Sequence, residues 1–369
     1  MKKGKGKVFI KGYETAQKAI LPPFAFLFLF FFFAAAAAVP EAFSQINQPK
    51  PKVTVVIPQP TAQPTPPKPP PQFPPPRKRR ADNESPTPAE KSIQTEAKVS
   101  VSLCVSEGNI RINGWERSEI RAYVSGGSKV GFKVLQKKQN PVWVKVLGFD
   151  PSTDHEPGLD ECLSGEEIEL DVPRGAVIAL KSGQSQITIE SVAKVSVENV
   201  GGDISLNNIA GGIAAKTYEG DVMVEKSAGA MSLFSTTGNI VAFEVEPSEV
   251  GDVFKATTRS GAVTLQAIGH AQVDAGSTSG SIRYNGEFTS GGQYNFSTNN
   301  GSILLSVPED SSCRINANFG FGAFQSEITL KDVHKVPGAQ VQKLTGMLGA
   351  GDANLNLTTY SGAIRIKKK

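Results

Sequence analysis

Apolar and polar residues alternate along most of this chain in one recurring phrase. It reads apolar-x-apolar-x-x-x-x-Gly-x-(Ile/Val)-x-apolar, centred on Gly108, Gly202, Gly220, Gly238, Gly261, Gly280, Gly301 and Gly362. Seven residues before these glycines stand Val101, Val195, Ile213, Met231, Phe254, Val273, Tyr294 and Leu355. Five before stand Leu103, Val197, Ala215, Leu233, Ala256, Ala275, Phe296 and Leu357. Two after stand Ile110, Ile204, Val222, Ile240, Val263, Ile282, Ile303 and Ile364, and four after stand Ile112, Leu206, Val224, Ala242, Leu265, Tyr284, Leu305 and Ile366. All 32 positions are apolar in a chain that is 39% hydrophobic overall, so the columns are not a compositional accident.

A spacing of two places each pair of apolar residues on one face of an extended strand. The glycine between the pairs marks a corner, where a residue without Cβ adopts positive φ cheaply. Each unit is therefore strand, tight turn, strand, with one face buried. From Gly202 to Gly301 the glycines are 18, 18, 23, 19 and 21 residues apart. A period of about 20 residues with a self-similar strand pattern predicts an all-β, single-domain β-solenoid. An antiparallel hairpin repeated as a meander would carry the same phrase. The near-constant interval favours coils.

The domain is expected to span residues 97–369. Its first full unit is 99–124, with Trp115 expected to cover the open end or edge of the first coil, or to stack on carbohydrate. Alternating strands KVGFKVL and VWVKVLGF follow. Residues 150–171 break the pattern with a run of Asp and Glu, read as an acidic insertion loop; a Ca²⁺ site there is the sharper alternative, although the spacing fits no known calcium loop. A degraded unit surrounds Gly183, and residues 331–350 look irregular. LNLTTYSGAIRI closes the array, and Lys367, Lys368 and Lys369 are expected to blunt its last strand against edge pairing. Three before the glycine stand Thr217, Ser235, Thr258, Ser277, Thr298 and Thr359. Hydroxyls there suit turn bonding, with a stripe for binding a repetitive polymer as the alternative.

The start of the chain is different in kind. Six lysines lie in residues 1–18, followed by an uncharged apolar run at 20–39. This predicts a signal peptide or an N-terminal membrane anchor over 1–44, which places the rest of the chain outside the cytoplasm, in the periplasm or at the cell surface. Residues 45–96 read as a disordered Pro-rich linker, with 15 prolines between 49 and 88. Net charge is +4, but residues 1–90 hold 13 Lys/Arg against 5 Asp/Glu, and the remainder holds 26 against 30. The folded part is mildly acidic, which argues against a nucleic-acid partner. Cys104, Cys162 and Cys313 form no metal-ligand spacing; one bridge is possible, but three isolated cysteines is the simpler reading.

Nothing in the sequence carries catalysis, a metal or a cofactor. His155, His270 and His334 have no nucleophile or ligand context. Asp203 and Asp221, each following a repeat glycine, form the only enzyme-like pair that the period can bring together.

The stretches STTGNI, TRSGAVTL, STSGSIRY, NNGSILL, VPED and GAGDANLNLTTYSGAIRI resemble the bacterial adhesin-like family of unknown function numbered 4097, a relative of the toast-rack β domains. The resemblance covers about residues 97–369 and implies an exported or membrane-tethered all-β domain with no catalytic residues to carry over. The expected function is a non-enzymatic, adhesin-like extracytoplasmic module that contacts an envelope or external polymer or protein. The alternative is a structural, self-assembling or envelope-stress accessory protein acting through a membrane partner.

Overall fold

The computed structural model describes residues 88–136, 141–149, 162–338 and 340–369. The leader at 1–44, its apolar run at 20–39 and most of the linker lie outside the described residues, as do His155 and the first part of the acidic segment. No helix among the described residues is long and apolar enough to cross a membrane.

Every regular element described is a strand. The first group is β1 (Ala89–Gln94), β2 (Val99–Trp115), β3 (Glu119–Ser125), β4 (Lys129–Gln136), β5 (Val142–Phe149), β6 (Leu163–Pro173) and β7 (Val177–Glu190). The regular middle holds β8 (Lys194–Gly201), β9 (Ile204–Asn207), β10 (Ile213–Glu219), β11 (Val222–Glu225), β12 (Met231–Thr237) and β13 (Ile240–Val245). It continues with β14 (Val253–Ser260), β15 (Val263–Ile268), β16 (Gln272–Ser279), β17 (Ile282–Asn285), β18 (Gln293–Asn300) and β19 (Ile303–Val307). The last group is β20 (Cys313–Phe319), β21 (Phe324–Ser326), β22 (Lys331–Val336), β23 (Gln342–Leu348), β24 (Ala353–Ser361) and β25 (Ile364–Lys368).

The units are parallel coils, not hairpins. First strands stack as β8–β10–β12–β14–β16–β18, and second strands as β9–β11–β13–β15–β17–β19. The long strands β2 and β7 run through both rows and lie side by side. Register keeps the repeat columns together, so that Ile213, Met231, Phe254, Val273 and Tyr294 are successive neighbours. All 32 apolar repeat positions are buried, none more than 4% exposed, and both rows contribute to one continuous core. Burial of that kind contributes about 25 cal/mol per Å² of apolar surface, which is what drives a stack that each coil alone could not form.

The corners are built by stacking as much as by backbone conformation. Gly220, Gly238 and Gly261 have φ of 133°, 151° and 152°. A Cβ on each would stand 2.0–2.3 Å from the carbonyl oxygen of the preceding coil's glycine. Gly301 has no such φ, yet its Cβ would meet the Gly280 carbonyl oxygen at 2.0 Å. Close approach of successive coils therefore demands glycine even where φ does not.

Both ends depart from chain order. At one end β2 lies between β7 and the later pair of β5 and β6. At the other, the C-terminal strands are slotted in: β24 lies between β18 and β20, and β25 between β19 and β21. LNLTTYSGAIRI is thus an internal coil rather than the closing one. Lys367 and Lys368 pair with Ser306 and Val307 of β19 on one side, while on the other side the pairing with β21 stops at Ile366. The ends are closed by antiparallel strands: β4 on β5, β3 on β6 and β1 on β3 at one end, β23 on β20 and β22 on β23 at the other. Strands β22 and β23, in the stretch expected to be irregular, therefore form an ordered cap. Residues 89–94 belong to the fold rather than to the linker. Arg121 binds Glu90 at 2.7 Å and Asp171 at 2.8 Å, tying β1 to β6 across β3; the guanidinium holds the Glu90 carboxyl below its usual range.

The acidic segment also ends earlier than expected. Residues 163–171 are part of β6, with Ile168 and Leu170 buried and Glu166 and Glu167 exposed, because the apolar alternation persists beneath the charges. The described part of the segment, residues 162–171, thus belongs almost wholly to a core strand. Cys104 and Cys162 are joined by a disulfide across 58 residues, with Cα atoms 4.6 Å apart. Cys313 alone among the three cysteines is free, and burial pushes its thiol up to about 12.

Candidate functional site

The residues singled out by the sequence are mostly absorbed into the corners. The hydroxyls of Ser235, Thr258, Ser277, Thr298 and Thr359 each donate to the carbonyl of the preceding coil's glycine, at 2.8–3.0 Å. Thr217 makes a longer version of this bond to Gly202. All six hydroxyl side chains are buried, so the column is turn chemistry and offers no stripe to a polymer.

Asp203 and Asp221 do lie on adjacent coils. The carboxylate of Asp203 accepts the backbone N–H of Asp221 at 2.8 Å, and Asp221 accepts that of Asn239 at 2.7 Å. Asn239 repeats the bond to Ala262. Both carboxylates are thus engaged by backbone amides of the next corner.

His270 is wholly buried beside Phe254, with Nε2 2.9 Å from the Gly229 carbonyl oxygen. His334 lies on the exposed cap strand β22. Trp115 does not cover an end of the array. It sits at the end of β2, where its indole N–H donates to the Glu119 carbonyl and Arg117 stacks over its ring at 4.9 Å. No cluster of three or more potential metal ligands occurs among the described residues.

A recess lies elsewhere, on the outer face of the first-strand row near its β5 end. It is a groove of about 820 Å³ whose lining includes Trp143, Ser102, Ala179, Ser196, Lys181 and Glu198. Strand alternation sets its composition. Val144 and Val146 point into the core, so Trp143 must point out. Pairing then brings Ser102, Ala179, Ser196 and Ala214 into one transverse line of small side chains, with Cys104, Lys181, Glu198 and Lys216 forming the next line. Trp143 stays 40% exposed, and its indole N–H donates to Ser102 Oγ at 2.9 Å. Lys181 and Glu198 approach to 3.9 Å, and Lys216 lies over the Tyr218 ring at 4.9 Å. The disulfide half Cys104 forms part of the lining.

Sequence reasoning placed VWVKVLGF on a strand but passed over its tryptophan. The signal was available in the alternation, since a large aromatic at the outward phase of a strand has no core to fill.

The chain matches the family described as Toastrack DUF4097 over residues 28–367. Among solved structures, a candidate cell adhesion protein from Clostridium sporogenes is 13% identical, with 76% of this chain and 100% of that one covered at a TM-score of 0.23. A candidate lipid binding protein from Parabacteroides distasonis is 10% identical, with 78% and 98% covered at a TM-score of 0.24. No curated protein matches the sequence.

Proposed function

This chain belongs to the Toastrack family, and from that premise we propose that it is an exported, non-enzymatic binding module of adhesin-like type. It holds an envelope or external polymer or protein in the Trp143 groove. The groove carries the proposal: it combines a pre-positioned, part-exposed aromatic with hydrogen-bonding walls, the composition expected of a recognition surface. The one carboxylate pair that suggested hydrolysis is committed to turn amides, which supports a role without catalysis. The Cys104–Cys162 disulfide supports an oxidising compartment, in keeping with the basic and apolar leader. The apolar run at 20–39 would serve as membrane anchor if it is retained. End-to-end self-assembly, the other reading, is less favoured because the outer strand β22 carries Lys331, Asp332 and Lys335 and a register irregularity, features that discourage edge pairing.

Co-sedimentation tests the proposal. The full chain, solubilised in detergent, is incubated with isolated cell walls, envelope membranes and intact cells. Saturable retention on at least one is expected, and retention on none would overturn the binding reading.

A further inference from the structure

We infer that the ligand of the Trp143 groove is an uncharged polysaccharide strand lying along the axis of the stack. The inference rests on the binding reading above and adds the class of ligand.

Direction comes from the register. Ser102, Ala179, Ser196, Ala214 and Ser232 are successive neighbours on β2, β7, β8, β10 and β12. Parallel strands repeat at about 4.8 Å, so these short side chains floor a trough that continues past the groove and runs across the coils. A floor of that form suits an extended polymer better than a compact molecule.

Chemistry comes from the walls. A sugar ring has a C–H face and a rim of hydroxyls. It needs a flat apolar platform bordered by groups that both donate and accept. Trp143 is the platform, and its N–H bond to Ser102 holds the ring in place before any ligand arrives. Ser196, Lys181 and Glu198 provide the border.

Charge narrows the class further. Glu198 lies between Lys181 and Lys216 on successive strands and approaches Lys181 to 3.9 Å, and Lys145 stands beside Ser102, so the wall mixes both signs and offers a polyanion no continuous cation row. A cationic peptide would equally lack an acidic row. An acyl chain would be set against the hydroxyls of Ser102 and Ser196.

The chain has only two tryptophans, which makes the test direct. Trp115→Phe leaves Trp143 as the sole indole reporter in the full chain. The probes are β-1,4-linked hexaoses of glucose, mannose and N-acetylglucosamine, a polyuronate, and a synthetic peptide of residues 64–76 from the Pro-rich linker. At least one neutral hexaose should change Trp143 fluorescence saturably, more tightly than its disaccharide. Trp143→Ala should weaken binding at least tenfold by calorimetry, while Trp143→Phe keeps part of it. Ala179→Phe, which fills the trough floor and keeps the Trp143 side chain, should also abolish binding if Trp143→Ala fails to fold. The inference falls if no neutral hexaose binds, if only the polyuronate or the peptide binds, or if both groove variants bind as the parent does. Retention on envelope fractions that survives under any of those results would leave the binding module standing without its glycan.

Discussion

Thr359 donates its hydroxyl to the carbonyl of Gly301, 58 residues earlier, at 2.9 Å. Thr298 makes the same bond to Gly280 at 2.8 Å across a connection of only 18 residues. The two rungs are alike although their chain separations differ threefold. That likeness is how the C-terminal strands are seated as an internal coil, and it generates a prediction. Thr359→Val and Thr298→Val each strip a part-buried glycine carbonyl of its hydroxyl donor, at about 1–3 kcal/mol. Urea unfolding should give the two losses within about 1 kcal/mol of each other. A negligible loss for Thr359→Val beside a clear one for Thr298→Val would contradict the slotted coil.

Glycine substitutions separate backbone strain from stacking. Gly220 and Gly251 both have left-handed φ, at 133° and 98°. A Cβ on Gly220 would stand 2.3 Å from the Gly202 carbonyl oxygen, whereas a Cβ on Gly251 meets nothing within 4 Å. Gly251→Ala should therefore lose only the strain, about 1–3 kcal/mol. Gly220→Ala adds a collision between rigid backbones and should lose more than about 4 kcal/mol. Equal denaturation midpoints for the two variants would refute the stacking argument.

The disulfide closes a loop of 58 residues between β2 and the start of β6. Loop-closure entropy for that length stabilises the fold by about 4 kcal/mol. Cys104→Ser combined with Cys162→Ser should lower the urea midpoint, with the earliest loss of amide protection in β5 and β6. Unchanged stability after complete reduction would mean that the cap holds itself together.

Alkaline pH should weaken the fold. Burial raises the Cys313 thiol to about 12, and it raises the Tyr284 phenol well above its usual value, with Tyr294 and Glu287 adding to the effect. An unfolded cysteine ionises at about 8.5. Between those values the native state holds protons that the unfolded chain has released, so stability falls as pH rises. Below about pH 8.5 this contribution is fully present. Melting temperature should decline from about pH 8.5 upward, and Cys313→Ala should flatten the decline. A slope identical to the parent's would show that the thiol does not take part. Native Cys313 should also resist alkylation at about pH 8 and react after unfolding.

The sequence by itself determined the repeating unit. A period of two on either side of a glycine admits one inward face, and all 32 apolar positions it selected are buried. It also determined the chemistry of the corners, because a short hydroxyl three residues before a glycine can reach the neighbouring turn. What it left open was which strands meet. A pattern repeated with little change makes many pairings locally equivalent, and chain order suggested that the last unit closes the array. The tertiary structure decided otherwise: β24 and β25 insert between earlier coils, and the irregular stretch before them becomes the cap. The Trp143 groove depends on the same decision at the opposite end. Its residues come from β4, β5, β2, β7 and β8, and only the placement of β2 between β5 and β7 puts Trp143 beside Ser102 and Ala179. Local periodicity fixes which face a side chain takes. Which side chains share that face is set by pairing between strands distant in the chain, and there the cooperative fit of the whole stack chooses.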